Sequence, residues 1–276
     1  MTDRPRYSIC ITHYNNAPTV RESLESIIGQ IDDRFEVVVV DNFSRDGSRE
    51  ILQEYASNRA IKLIERRCSR GKGRQIAFEE SVGDYILSGV DLDDVFRPVF
   101  TRLLEGYHRF FEGQCLFMSG KHEAITVIPR TLVEVVGGWR DVPGGEDIDL
   151  WARVANEGRL VHVPFRRIQS KVNPHEGLVH QAMRRFDRAR CAFIIGVNPL
   201  KIEPDPPTVP RKVARRILTA TAYSASLFHK GYKDNIQFKY SLATVHRTGQ
   251  FGPPEQIREG FLRFMGGTGD ESLASK

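Results

Sequence analysis

The sequence lacks several features that would assign it to a well-marked class of protein. Its four cysteines, Cys10, Cys68, Cys115 and Cys191, stand far apart and form no C-x-x-C pair. Zinc sites and dense disulfide frameworks are therefore not expected, and a reducing cytoplasm fits best. No apolar run approaches the ~20 residues of a membrane span, and the first residues, MTDRPRYSIC, lack the order of a signal peptide. We expect a cytoplasmic protein that is soluble, or at most peripheral at the inner face of a membrane.

Charge is nearly balanced over the whole chain but not along it. The 276 residues include 40 Lys and Arg against 35 Asp and Glu, and basic residues outnumber acids from Arg159 to Arg216. A basic surface suits nucleotides, lipid head groups or nucleic acid, although any single Lys or Arg fits a solvated face better. The acids are concentrated elsewhere, above all in GVDLDD from Gly89 to Asp94.

The first ninety residues alternate between strand and helix patterns. Strands are predicted at YSICIT, FEVVVV, AIKLIE and DYILSG, and helices at APTVRESLESIIGQ, DGSREILQEYAS and GRQIAFEES. This alternation predicts an α/β fold, a mostly parallel Rossmann-like sheet with helices on both faces. Each strand ends in polar residues, THYNN, DNFS, ERRCSRGKG and VDLDD, so these segments should share one rim, where such sheets bind ligands.

The rest of the chain predicts a second half of this domain and a helical appendage. We predict a main domain over 1–200, with halves at about 1–95 and about 96–200, a Pro-rich linker at 201–210, helices at 211–265 and a disordered tail at 266–276. The first appendage helix is basic at its start, and Val213, Ile217, Ala220, Ser224 and Leu227 recur at helical spacing. This stripe either packs on the main domain or lies on an anionic membrane.

The carboxylates of DLDD need a positive partner. Asp91 and Asp93 supply the hard oxygen ligands that Mg²⁺ or Mn²⁺ prefers, and such an ion would neutralise a leaving diphosphate. Alternatively, the acids cap the next helix or are solvated. A second phosphate-binding candidate is SRGKGRQ, with Lys72 and Arg74, although it is neither a P-loop nor a dinucleotide fingerprint and is equally consistent with a flexible loop.

These motifs occur in an order that resembles family 2 of the nucleotide-sugar-dependent glycosyltransferases. The ordered set is THYNN, VVVVDNFSRDGS, RGKGRQIAFEESVGDYILSGVDLDD and GGWRDVPGGEDIDLWARVANEG, and the resemblance covers about Tyr7 to Phe165. It implies the GT-A fold, a divalent metal, and inverting transfer of a sugar from a UDP- or GDP-sugar. The acceptor would be a glycan, a lipid-linked molecule or a small molecule, and the C-terminal part suggests peripheral membrane contact.

The resemblance also implies roles for individual residues. Thr12, Tyr14 and Asn15 would line the nucleotide pocket, although Thr12 and His13 replace the family's Pro-Thr pair, and the role of His13 is undefined. Asp41 would hold the base or ribose, or else it caps the following segment. The family's second acid is Asn42 here, which weakens any inference about the base. His175 stands where some members place a metal-contacting residue, and a loop histidine is otherwise simply exposed.

Asp147 matches the family's general base and Glu146 its acidic neighbour. The base would take the proton of the acceptor hydroxyl as that oxygen attacks the anomeric carbon. The competing interpretation is that acids in a first helical turn only offset the helix dipole.

Two other functions fit parts of this pattern. A sugar-phosphate nucleotidyltransferase also binds a metal at such a rim, but it needs a Gly-rich basic loop after the first strand, where THYNN stands. A nucleic-acid-binding protein would need aromatics interleaved with its basic residues on one platform, and a carboxylate-rich rim would repel a phosphate backbone. We therefore expect no nucleic-acid partner.

Overall fold

The computed structural model describes residues 6–119, 124–142, 144–165, 169–171, 178–194, 200, 207–228 and 251–266. The strands in these ranges are β1 Tyr7–His13, β2 Phe35–Asp41, β3 Lys62–Glu65, β4 Tyr85–Ser88, β5 Asp94–Phe96, β6 Cys115–Ser119, β7 Ala124–Pro129, β8 Leu160–Pro164 and β9 Gln169–Lys171. The helices are α1 Ala17–Ile28, α2 Ser48–Ser57, α3 Arg70–Glu79, α4 Phe100–Phe110, α5 Arg130–Val135, α6 Glu146–Asn156, α7 Leu178–Ile194, α8 Val209–Ser226 and α9 Glu255–Phe264.

Seven strands form one sheet in the order β3-β2-β1-β4-β7-β6-β8, and β5 pairs with β9 in a separate two-stranded sheet. Strands β3, β2, β1 and β4 are parallel, as the alternation predicts, and β7 runs antiparallel to β4 and β6. The predicted mostly parallel sheet with helices on both faces is confirmed. The carboxyl ends of β1, β2, β3 and β4 lie at one rim.

Both faces of the sheet are buried because apolar side chains continue through successive positions of β1 and β2. Ile9 and Ile11 enter a core beneath α1 and α4, whereas Cys10 enters a second core that includes Trp139 and Leu150. A strand buried on both faces has no polar alternation, which explains the uninterrupted run VVVV at 37–40.

Three elements between 94 and 119 were not predicted: β5, α4 and β6. Helix α4 buries Phe100, Leu103, Leu104 and Tyr107, a helical apolar spacing. Helix α3 also starts earlier than predicted, at Arg70 instead of Gly73, because the Ser69 hydroxyl accepts the backbone N–H of Lys72 at 3.1 Å and caps it.

The last helix lies on the catalytic fold itself. Phe261 of α9 is fully buried against Phe110 and Phe111, with ring centroids 6.0 and 5.0 Å away. A Cβ at Gly106 of α4 would stand 2.8 Å from the Phe261 ring, so the glycine makes room for it. The end of the predicted appendage therefore contributes to the main core.

Replacing Phe261 with Ala should lower the free energy of unfolding by about 3–5 kcal/mol, the usual cost of emptying an aromatic site in a core. The measurement is urea unfolding of the full chain. Ile257→Ala, on the exposed side of the same helix, is the control and should cost less than about 1 kcal/mol. Equal effects of the two changes would show that α9 does not belong to the core.

Candidate active site

The rim is assembled where three neighbouring strands end. His13 and Asp41 are the last residues of β1 and β2 and stand opposite each other in register. Strand β4 ends at Ser88, and Gly89 then turns the chain with a φ of +76°, a conformation that favours glycine. The DLDD segment begins two residues later.

DLDD is held in place by its backbone and by its apolar residue. Thr19 and Ser23 of α1 donate to the carbonyl oxygens of Leu92 and Asp94 at 2.7 and 2.6 Å, and the side chain of Leu92 is buried in the core. Asp91 and Asp93, on either side of it, are half-buried. These two acids do not cap the next helix, because α4 begins only at Phe100. That alternative is wrong.

Arg74 brings a buried positive charge to Asp91. Its side chain is only 2% exposed, its Nη2 lies 3.0 Å from Asp91 and 3.4 Å from Asp147, and its Nε lies 3.7 Å from Glu146. Nη1 donates to the carbonyl oxygen of Cys10 at 3.2 Å. The sequence placed Arg74 among the phosphate-binding candidates. In the structure it instead joins the DLDD segment to the first turn of α6.

The electrostatics of this cluster follow from burial. Burial alone lowers the pKa of Arg74, but Asp147, Asp91 and Glu146 outweigh it and raise that pKa. Burial and the neighbouring charge of Asp147 raise the pKa of Glu146 to about 7, although Arg74 acts in the opposite direction. One guanidinium thus partly compensates three carboxylates, and Glu146 takes up a proton near neutral pH.

Asp147 is the accessible acid of the pair at the start of α6. Its side chain is 16% exposed against 4% for Glu146, so it faces the rim where an acceptor can enter. Its Oδ1 accepts the indole N–H of Trp139 at 2.8 Å. Trp139 is buried, and its contact with Asp147 is a feature that sequence spacing cannot show.

Asp149, by contrast, faces away from the rim, as expected. It is buried in ion pairs with Arg153 at 2.7 Å and Arg140 at 3.3 Å. These ion pairs hold α6 to the segment that precedes it, so Asp149 stabilises the position of the first turn of α6.

Of the nucleotide-binding candidates, Asn15 and Asp41 are joined through one loop. Both oxygens of the buried Asp41 accept from Ser44, at 2.5 Å from its hydroxyl and 2.9 Å from its N–H. The Ser44 hydroxyl accepts the N–H of Asn15 at 2.9 Å, and Asn15 has a φ of +48°. Asp41 therefore caps the segment that follows it, the second interpretation given above. Tyr14, 58% exposed, projects from the rim.

Lys72 and Thr12 lie where α3 meets β1. The two glycines beside Lys72 allow close packing: a Cβ at Gly73 would stand 2.7 Å from Cγ2 of Thr12, and one at Gly71 would overlap the carbonyl oxygen of Arg140. RGKG is thus the first turn of a tightly packed helix, and the interpretation as a flexible loop is wrong. The side chain of Lys72 is half-buried at the helix start.

His13 is a site residue whose role the sequence left undefined. It is 5% exposed, and its Nε2 has no hydrogen-bond partner among the residues described. Burial lowers its pKa, against the opposing charges of Asp41, Asp46 and Asp93. His13 is therefore a buried residue at the end of β1 whose Nε2 is enclosed by the protein. His175 lies outside the described residues.

The sequence is similar to those of known glycosyltransferases. Residues 8–113 match the family model "Glycosyl transferase family 2". "Putative glycosyltransferase EpsE" of Bacillus subtilis is 26% identical over 197 residues, which cover 57% of this chain and 69% of that protein. "Putative glycosyltransferase EpsH" of the same organism is 31% identical over 98 residues, and the match spans only 28% of its length.

Solved structures support the fold. The mannosyltransferase PcManGT from Pyrobaculum calidifontis, in complex with GDP-Man and Mn²⁺, superposes with a TM-score of 0.58 at 19% identity and covers 96% of this chain and 87% of its own. Staphylococcus aureus TarS 1-349, in complex with UDP-GlcNAc, gives 0.54 at 15% identity and covers 94% and 81%. The predicted GT-A type of fold is confirmed.

The raised pKa of Glu146 has a consequence for stability. Because the folded state favours the protonated acid, this contribution is complete below its ordinary pKa of 4.5 and is lost as the pH rises through about 7. We predict that the free energy of unfolding of the metal-free chain falls between pH 5 and pH 8 through this group.

The measurement is urea unfolding across that pH range for the native chain and Glu146→Gln. Because the amide does not titrate, the free energy of unfolding of Glu146→Gln should change less between pH 5 and pH 8 than that of the native chain. The variant should also be more stable than the native chain at pH 8. Glu22→Gln, at an exposed position, is the control and should keep the native slope. The prediction would be wrong if the free energy of unfolding of Glu146→Gln fell with pH as steeply as that of the native chain.

Proposed function

We propose that this chain, whose residues 8–113 match the model of glycosyltransferase family 2, is an inverting enzyme that transfers a sugar from a nucleoside diphosphate sugar to an acceptor hydroxyl. The observation that carries the proposal is the convergence of Asp91, Asp147 and Glu146 on the single buried guanidinium of Arg74. Asp91 belongs to the candidate leaving-group side of the reaction, and Glu146 and Asp147 belong to the candidate acceptor side. Both sides contact the same Arg74 side chain.

The donor would bind along the ends of β1 and β2. Asn15 and the exposed Tyr14 offer contacts for the nucleoside, while Asp41 holds the loop that shapes this part of the rim. Relatives of known structure are bound to GDP-Man and to UDP-GlcNAc, which supports a nucleotide-sugar donor but not one base over the other. Lys72, at the amino end of α3, is placed to approach the diphosphate.

Asp91 and Asp93 are the residues that would hold a divalent metal. No group of three His, Cys, Asp or Glu side chains within the described ranges forms a ready metal site. Two half-buried carboxylates nevertheless fit the way Mg²⁺ is usually bound, by one or two acids together with substrate phosphates. Such an ion would stabilise the negative charge of the departing diphosphate. Structures of related fold that contain Mn²⁺ support this assignment.

Asp147 would act as the general base. Its partly exposed carboxylate would take the proton of the acceptor hydroxyl while that oxygen attacks the anomeric carbon opposite the leaving diphosphate, which inverts the configuration. Arg74 and the indole of Trp139 fix its orientation. Glu146, which is more deeply buried, would support the base and hold a proton near neutral pH.

The structure disfavours the nucleotidyltransferase alternative. Such an enzyme needs a Gly-rich basic loop after β1, and here β1 leads through Tyr14, Asn15 and Asn16 into α1, whose first turn carries no Lys or Arg. The acceptor class, whether glycan, lipid-linked or small molecule, and the cytoplasmic location stay predictions. No helix within the described ranges combines the length and hydropathy required to cross a bilayer.

Metal-dependent nucleotide binding tests the donor side. We predict that UDP or GDP binds the native chain in the presence of Mn²⁺ and that Asp93→Asn weakens this binding at least about tenfold, because a neutral amide is a poorer metal ligand than a carboxylate. Isothermal titration calorimetry of both nucleotides, with and without Mn²⁺, measures it. Asp33→Asn, an exposed acid in the turn between α1 and β2, should bind as the native chain does. Equal affinity of the Asp93 and Asp33 variants would rule out this metal site.

The hydrogen bond from Trp139 to Asp147 tests the acceptor side. Trp139→Phe keeps an aromatic ring but removes the indole N–H. We predict about a tenfold lower kcat with unchanged nucleotide affinity, part of the 10²–10⁴ that a positioned base contributes. The measurement is the rate of nucleoside diphosphate release in the presence of acceptor.

Trp151→Phe is the matched control, because that indole donates to Thr126 at 3.1 Å, inside the core. A loss of activity that is equal in the two variants would assign the effect to packing, and a native kcat in Trp139→Phe would exclude a positioning role.

A further inference from the structure

Helix α8 combines a basic start with a complete lack of acidic residues. Residues 207–228 contain Arg211, Lys212, Arg215 and Arg216 and no Asp or Glu. Arg211 and Arg216 are exposed. A solvated helix face normally mixes charges of both signs, so this composition indicates a partner with negative charge.

The side of α8 that packs on the protein is made of small residues. Thr219, Ala222 and Ser226 are its buried residues, and Tyr223 meets Phe193 of α7 with ring centroids 5.1 Å apart. The expectation that the apolar stripe itself packs on the catalytic domain is therefore wrong. Small side chains allow the two helices to approach closely and leave the larger apolar residues on the other side.

Those larger residues form an exposed apolar face. Val209, Val213 and Ile217 follow one another at four-residue spacing and are 71, 51 and 64% exposed. Leu227 continues the same line, and Phe228, just past the helix, is 91% exposed. At 100° per residue, Val213 lies opposite Ala222 and Ile217 lies opposite Ser226, while Val209 and Leu227 lie nearer the packed side, with Arg216 beside them. A contiguous apolar face with a basic border marks an interaction site.

We propose that this face of α8 docks on the surface of an anionic lipid bilayer. Its apolar side chains would enter the boundary of the head groups, while Arg216, at the edge of the face, would contact lipid phosphates. Charge favours this occupant over a second copy of the chain, because residues 207–228 offer no acid with which a second copy could pair the basic edge. An anionic membrane supplies both the apolar layer and the opposite charge.

The position of the helix pair adds a functional consequence. Cys191 of α7 packs against Gly144, three residues before Asp147, with its Sγ 3.7 Å from the position of a Cβ there. Helix α7, on which α8 packs, therefore connects the docking helix to the segment that carries the proposed base. The docking itself does not depend on which sugar or acceptor the enzyme uses.

Vesicle flotation of the full chain tests the proposal. We expect binding to vesicles that contain phosphatidylglycerol, weaker binding to pure phosphatidylcholine, and loss of the difference at high salt. Ile217→Ser and Phe228→Ser should each weaken binding about tenfold, because each removes a large apolar side chain from the contact. Arg216→Gln should weaken it about fivefold on the anionic vesicles, and Arg211→Gln, on the opposite side of the helix, should weaken it less.

Val135→Ser is the control, since Val135 is 70% exposed on α5 and lies outside this face. It should float as the native chain does, and circular dichroism should show all variants folded. Absence of binding to anionic vesicles, or native binding by Ile217→Ser and Phe228→Ser, would overturn the proposal. So would sedimentation velocity that shows a native dimer dissociated by Ile217→Ser, because the face would then join two copies.

Discussion

The structure of the rim depends on one buried cation. Arg74 gives up its hydration inside the protein, which is costly unless several acceptors replace the water. The replacements come from distant parts of the chain: Asp91 after β4, Glu146 and Asp147 at the start of α6, and the carbonyl of Cys10 in β1. The guanidinium therefore joins the two halves of the predicted catalytic domain at the point where a donor and an acceptor would meet.

The position of Arg74 follows from the way α3 is packed. Gly71 and Gly73 let the first turn of this helix touch the segment at Arg140 and the side chain of Thr12, distances that a Cβ would not allow. The next residue, Gln75, accepts the backbone N–H of Trp139 at 2.7 Å, and Trp139 in turn donates to Asp147. One short helix thus orients both the carboxylates and the aromatic residue beside them, which is the preorganisation that a reaction site needs.

Sequence reasoning reached the sheet, the rim and the acids because each is encoded locally, by strand–helix alternation or by polar residues at a strand end. Sequence reasoning could not predict which groups contact Arg74, because those groups come from three separate parts of the chain and meet only in the folded structure. It also misjudged α8: periodicity shows that one face is apolar, but not that Thr219, Ala222 and Ser226 make the contact. The burial of Phe261 beside Gly106 is equally non-local. Local patterns define elements and candidate residues, and packing decides which of them meet.

The central claim is that Asp91 and Asp93 form, with the diphosphate of a donor, the metal-binding side of this rim. Electron paramagnetic resonance of Mn²⁺ tests it most directly, because coupling to ³¹P reports phosphate in the coordination shell of the ion. The account predicts phosphorus coupling when the native chain and a nucleoside diphosphate are both present, beyond that of Mn²⁺ and nucleotide alone, and its loss in Asp91→Asn and Asp93→Asn. Identical spectra for the native chain and both variants would contradict it.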